Sequence, residues 1–148
     1  MKKCLLVMVF VFVFAGMAFA LDQSKEPGGF NGIKWGQNAK SVKDLVLIEK
    51  GAERDYYKRS TDKMSIGKAE LDGIAYVFSN DKFIGVILRG KGPANAKALL
   101  IVLKESYGEV PQAINGMEIY NWKFKGVEIV YTYNAGDDKI FCLYQSIS

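Results

Sequence analysis

The stretch at residues 92–108, GPANAKALLIVLKESYG, constrains the fold more than any other part of the chain. Pro93 stands where a first helical residue belongs, because its missing N–H is not needed there and its φ is already helical. Gly108 suits the left-handed residue that closes a helix, and Pro111 keeps the helix from resuming. Between them Ala96, Leu99, Leu100, Leu103 and Tyr107 recur at helical spacing and fall on one face. An apolar stripe of this kind must be covered, and nearly all the surrounding sequence has strand character. The expected class is α+β: a two-layer, mostly antiparallel sheet of about six to seven strands, one long helix on one face, and a short N-terminal helix.

The strand signals run on both sides of the helix. Ile74, Tyr76 and Phe78 alternate with Ala75, Val77 and Ser79, which is the period of a pleated sheet. Asn80-Asp81 is a good two-residue turn, and Phe83 to Leu88 returns as the partner strand. Both phases of that return strand are apolar, which places it centrally with one face under the helix. After the helix, residues 117–124, 127–133 and 139–147 read as three more strands. Leu45-Val46-Leu47-Ile48 has strand composition, preceded by one or two helical turns within residues 37–44. The charged stretch at residues 52–61, with Tyr56-Tyr57 in its middle, reads as an exposed edge strand whose cations oppose unwanted pairing.

The first twenty residues read as a secretory signal peptide. Lys2 and Lys3 give a positive start, an unbroken apolar run follows from Leu5 to Phe14, and Ala18-Phe19-Ala20 is a small-x-small cleavage site. Cys4 precedes the apolar run, whereas a lipidated cysteine would follow it. Cleavage after Ala20 leaves residues 21–29 as a flexible lead-in and residues 30–148 as one α+β domain. Losing Lys2 and Lys3 reduces 20 basic residues to 18 against 16 acidic, a net charge of +2. Such a weak positive charge on an exported chain argues against nucleic acid as a partner, and membrane contact is expected only through the leader before cleavage. Cys142 alone remains, in an apolar strand, and reads as a buried hydrophobe. An exported chain without a disulfide suits a bacterial periplasm.

Gly32-Ile33-Lys34-Trp35-Gly36 near the start and Tyr107-Gly108-Glu109-Val110-Pro111 after the helix carry a resemblance. They resemble a loose group of small, mostly uncharacterised bacterial periplasmic proteins with a G-x-x-W-G opening and a Y-G-x-P-like helix exit. The resemblance implies location and fold and carries no catalytic residues across. Here one extra residue separates Gly108 from Pro111.

The chain contains no histidine, which removes the commonest general base and the commonest metal ligand together. Ser-His-Asp and Cys-His hydrolases are thereby excluded, and no phosphate-binding or dinucleotide fingerprint is present. No cofactor, catalytic residue or metal ligand is assigned. Glu70 and Asp72, two apart on one strand, are the carboxylate pair that a hydrolase would need, and Asn134, Asp137 and Asp138 share an oxygen-rich turn. Arg89-Gly90-Lys91-Gly92, ahead of the helix, is the candidate anion site, because free N–H groups and the helix dipole attract a negative group. Tyr56-Tyr57-Lys58-Arg59 is the candidate partner edge, open to strand addition by an acidic partner. The leading expectation is a periplasmic or secreted non-enzymatic binding or protein-interaction module, its partner another envelope protein or a small anionic ligand. A carboxylate-dependent hydrolase using Glu70 and Asp72, and a structural envelope accessory, are the alternatives.

Overall fold

Residues 21–114 and 118–147 are described by a computed structural model, and the expected leader at residues 1–20 lies outside them. The chain enters through a tight hairpin of β1 (Gly29–Phe30) and β2 (Ile33–Lys34). β3 (Leu45–Lys50) and β4 (Asp55–Arg59) follow, then a small hairpin of β5 (Ser65–Ile66) and β6 (Ala69–Glu70). β7 (Gly73–Ser79) and β8 (Lys82–Gly90) complete the first half. The helix α1 (Pro93–Tyr107) crosses to β9 (Ala113–Ile114), β10 (Glu118–Lys123), β11 (Val127–Asn134) and β12 (Lys139–Ser146).

The main sheet has the order β3-β4-β7-β8-β12-β11-β10-β9, and every pairing in it is antiparallel. Each half of the chain therefore runs as a meander from an outer edge to the centre, where β8 pairs with β12. β9 is only a two-residue end piece, so seven longer strands make up the body of the sheet. The turn between β7 and β8 is the expected Asn80-Asp81, both at positive φ (50° and 62°), the geometry that suits the twist of a hairpin.

Helix α1 has the expected bounds. Gly92 (φ 93°) and Gly108 (φ 102°) flank it in conformations that a residue with a Cβ rarely adopts. Ala96, Leu99 and Leu103 are its buried stripe, while Leu100 and Tyr107 are only partly covered. Two hydrogen bonds from the sheet clamp its ends. The Tyr131 hydroxyl donates to the Ala96 carbonyl at 2.8 Å, and the Trp122 indole N–H donates to the Gly108 carbonyl at 2.8 Å. Trp122, Tyr76, Tyr131, Phe78 and Phe83 fill the layer between helix and sheet. Trp35 closes one side of that layer, stacked on Phe83 at 4.8 Å with its N–H on the Pro27 carbonyl.

Three expectations are corrected. The short helix of residues 37–44 is one 3-10 turn, Ala39–Ser41. The Asn38 side chain caps it, and the Ser41 hydroxyl bonds back to the Asn38 carbonyl, so the turn closes before a helical stretch can propagate. The flexible lead-in at residues 21–29 is a docked segment. The Gln23 side chain accepts from the Lys125 N–H, the Glu26 carboxylate accepts from the Gly126 N–H, and Leu21 packs on the core. Finally, β4 is not the edge of the sheet: it lies between β3 and β7, and β3 is the outer strand.

Candidate functional site

Strand alternation sorts the sheet into two unlike faces. Ile74, Tyr76, Leu88, Ile140, Cys142, Tyr144, Ile129 and Tyr131 point into the layer under α1. The intervening residues point the other way. In register, Ala75 faces Ile87, Ile87 faces Leu143, and Leu143 faces Val130, an unbroken aliphatic row across four neighbouring strands. Phe141, opposite Arg89 and Thr132, lies beside that row and is 37 % exposed. Ala75, Ile87, Val130 and Leu143 are half-buried and do not join the core, and Val77 on the same face is buried.

Several apolar side chains from outside the strands go to the opposite face. Trp35, Val42, Leu100, Tyr107 and Val110 all pack on the core beneath or beside α1. The row is thus an uncovered sheet face. Its rim is richer in cations than in free carboxylates. Arg89 lies between buried Leu88 and Gly90, Lys58 follows the inward Tyr57, and Lys123 lies between buried Trp122 and Phe124, so alternation turns all three outward. Glu128 on the same face is held at 2.9 Å by the Asn121 amide.

The outer backbone edge of β3 is the second exposed apolar feature. Val46, Leu47 and Ile48 are 42, 49 and 54 % exposed, and among the described residues β3 pairs only with β4.

The residues singled out by sequence separate on this frame. Tyr57 packs edge-on against Phe78 at 5.2 Å, so it belongs to the core side, whereas Tyr56 lies opposite Val77 on the uncovered face. Lys58 is exposed, but Arg59 is committed to the protein itself: its Nε reaches both Asp44 oxygens at 2.9 Å, and its Nη1 donates to the Asn31 carbonyl. The Arg59 guanidinium, helped by the Thr61 hydroxyl, holds the Asp44 carboxyl down at about 2. At the candidate anion site, the Gly92 N–H donates to the chain's own Asp138 carboxylate at 3.0 Å, which also accepts from the Tyr133 hydroxyl at 2.7 Å. The Asn95 amide donates to the Lys91 carbonyl, and its oxygen accepts from the Glu70 N–H. An internal carboxylate therefore already stands at the start of α1.

Glu70 and Asp72 flank buried Leu71, and both side chains lie in water. Asn134 closes its own turn by accepting from the Gly136 N–H, and Asp137 leans on Lys139 at 3.9 Å. Among the described residues no three His, Cys, Asp or Glu side chains converge as metal ligands. A groove of about 510 Å³ is lined by Pro93, Ala96, Lys97 and Leu100 of α1 and by Glu118, Tyr133 and Ala135 from the β10–β11 side. Burial pushes the Tyr76, Tyr131 and Tyr144 hydroxyls and the Cys142 thiol upward, so these groups are neutral packing and hydrogen-bonding groups at ordinary pH.

What sequence reasoning missed was the uncovered face as a surface. The signal was present: both phases of residues 83–88 are apolar, and only one of them can face a single helix. Among the described residues no helix is long and apolar enough to cross a membrane. Compared with known proteins, the chain matches no protein family, no curated sequence and no solved structure.

Proposed function

We propose that this chain is an exported, non-enzymatic protein-interaction module, released to the periplasm by cleavage after Ala20, and that it docks a partner on its uncovered sheet face. The observation that carries this reading is the aliphatic row Ala75–Ile87–Leu143–Val130, which no other described element covers. A contiguous apolar patch with a polar rim is the usual mark of an interaction surface. The outward cations Arg89, Lys58 and Lys123 match a partner whose apolar strip is bordered by carboxylates.

The experiment places a photo-crosslinking residue at Leu143 and captures partners from periplasmic extract, alongside Leu143→Lys and Arg89→Glu variants with unchanged melting temperatures. The expected result is one dominant partner with an acidic surface, cross-linked from position 143 and lost in both variants. Salt should weaken its capture, because charge steering is screened. Equal recovery by wild type and both variants would overturn the reading.

A further inference from the structure

The geometry points to a small-ligand site in the groove between α1 and the β10–β11 side of the sheet, one that takes a zwitterion with an aliphatic side chain: a free apolar amino acid or the equivalent short peptide. This site lies on the helix side of the sheet and is independent of what occupies the uncovered face. Its volume of about 510 Å³ falls within the range of small-molecule sites, about 300–1,000 Å³. The lining is mostly aliphatic, with Pro93, Ala96 and Leu100 from α1 and Ala135 from the turn after β11. Lys97 and Glu118 are the charged groups in it.

Neither charge has a partner among the described residues. The ion pairs there join Arg59 to Asp44, Lys104 to Glu109 and Lys139 to Asp137, and no side-chain hydrogen bond reaches Lys97 or Glu118. Lys104, two turns along α1 from Lys97, is satisfied: its Nζ lies 3.5 Å from Glu109 and 4.9 Å from the centre of the Tyr120 ring. Tyr133 does not supply the missing donor, because its hydroxyl is given to Asp138 at 2.7 Å. Glu118 is half-buried in β10 while Lys97 is exposed, so Glu118 is the less hydrated of the two and gains more from a donor that reaches it.

Charge complementarity decides the occupant. No ion pair joins Lys97 to Glu118, so one ligand can stand between them, its carboxylate towards Lys97 and its ammonium towards Glu118. A simple acid would leave Glu118 unmatched, a simple amine would leave Lys97 unmatched, and an uncharged ligand would leave both. The aliphatic lining then favours a leucine-like side chain over a polar one. A free amino acid and a short peptide share this chemistry, since each carries one ammonium, one carboxylate and the same side chain.

Titration of the purified protein, followed by amide chemical shifts, tests the site with leucine, dileucine, isocaproate (leucine without its ammonium group) and isoamylamine (leucine without its carboxylate). The better-bound zwitterion should shift the amides of Lys97, Leu100, Glu118 and Tyr133 and leave those of Ile87 and Leu143 on the uncovered face unmoved. Isocaproate should bind at least about tenfold more weakly than that zwitterion, because it loses the bond to the half-buried carboxylate. Isoamylamine should bind about two- to fivefold more weakly, because an exposed lysine contributes less. Glu118→Gln, at an unchanged melting temperature, should weaken the zwitterion by about tenfold and isocaproate not at all. Lys97→Gln should weaken the zwitterion about two- to fivefold and isoamylamine not at all. Preference for leucine makes the ligand a free amino acid and preference for dileucine makes it a peptide, and either supports the site. The absence of groove shifts with both zwitterions overturns the proposal. So does isocaproate or isoamylamine binding as well as the zwitterion, or equal zwitterion binding by wild type and both variants.

Discussion

The Arg59 guanidinium lies side-on against the Asp44 carboxylate, with Nε 2.9 Å from both oxygens, and so ties the end of β4 to the residue before β3. The same guanidinium reaches the Asn31 carbonyl and lies 5.9 Å from the Tyr76 ring centre, so one side chain joins the outer strands to the entry hairpin. Arg59 first, then Thr61, holds the folded Asp44 carboxyl at about 2 against an ordinary 3.8. A depressed carboxyl contributes stability that is present above its unfolded value and is lost as pH falls through its folded value. The contribution of this pair is therefore intact at neutral pH, declines below about pH 4 and is gone near pH 2. Thermal melts from pH 7 to pH 2 should show the decline, and Asp44→Asn should lower the neutral melting temperature and flatten this part of the acid dependence. An Asp44→Asn variant with the wild-type acid profile would show that the pair is energetically silent.

The helix face predicts an ordered series. Leu99 and Leu103 are 0 and 1 % exposed, so either change to Ala should cost about 2–5 kcal/mol, the range for emptying a packed leucine site. Leu100 lies at the wall of the groove with part of its surface in water, so Leu100→Ala should cost distinctly less. Lys97→Ala should be close to neutral. Denaturant melts of the four variants check the order, and Leu100→Ala matching Leu99→Ala would mean that the groove is closed in solution.

Local signals in the sequence carry much of this architecture. Pro93 and Gly108 mark the helix, Asn80-Asp81 marks the central hairpin, alternation marks β10 and β11, and an apolar run marks β12, because each depends on near neighbours. The arrangement of the outer strands depends on distant ones. Asp44 and Arg59 are 15 positions apart, and it is the pairing of β4 with β7, across the intervening β5–β6 hairpin, that leaves β3 as the edge. A charged strand beside a more apolar one looks like the natural edge, and periodicity alone cannot show which of the two is outermost. The internal acceptor at the start of α1 is hidden from the sequence for a related reason. That acceptor, Asp138, lies 46 positions from Gly92 in the oxygen-rich turn between β11 and β12. Of the proposed interaction surface, the apolar outward phase of β8 was legible, but its extension through Leu143 and Val130 needed the register of β12 and β11.

Cys142 lies between Tyr131 and Leu88 in the sheet and is 0 % exposed. Burial raises its thiol well above the usual range, and the thiolate is the reactive form. The native protein should label with a thiol reagent only as fast as it opens, and denaturant should make labelling rapid. Native labelling at the denatured rate would show that the β8–β12 centre of the sheet opens readily.

Asp138 supplies the last test, because its carboxylate stands at the start of α1. Its carboxylate takes the Gly92 N–H and the Tyr133 hydroxyl together, from a backbone with φ 54°. The Asp138 carboxylate holds the Tyr133 hydroxyl above its ordinary value, so the phenol remains the donor at neutral pH. Asp138→Gly keeps that positive φ available and removes the carboxylate, so its cost reports the two hydrogen bonds rather than backbone strain. A loss of about 1–3 kcal/mol is expected for bonds to a charged acceptor. Asp138→Asn retains an acceptor oxygen and should lose less. With its internal carboxylate gone, the Gly92 N–H and the positive end of α1 are left facing water beside Lys91 and Arg89. Sulfate or phosphate should then stabilise Asp138→Gly more than it stabilises wild type, measured as the shift in melting temperature against chloride at matched ionic strength. Equal shifts in the two proteins would mean that the carboxylate is not what occupies the start of the helix.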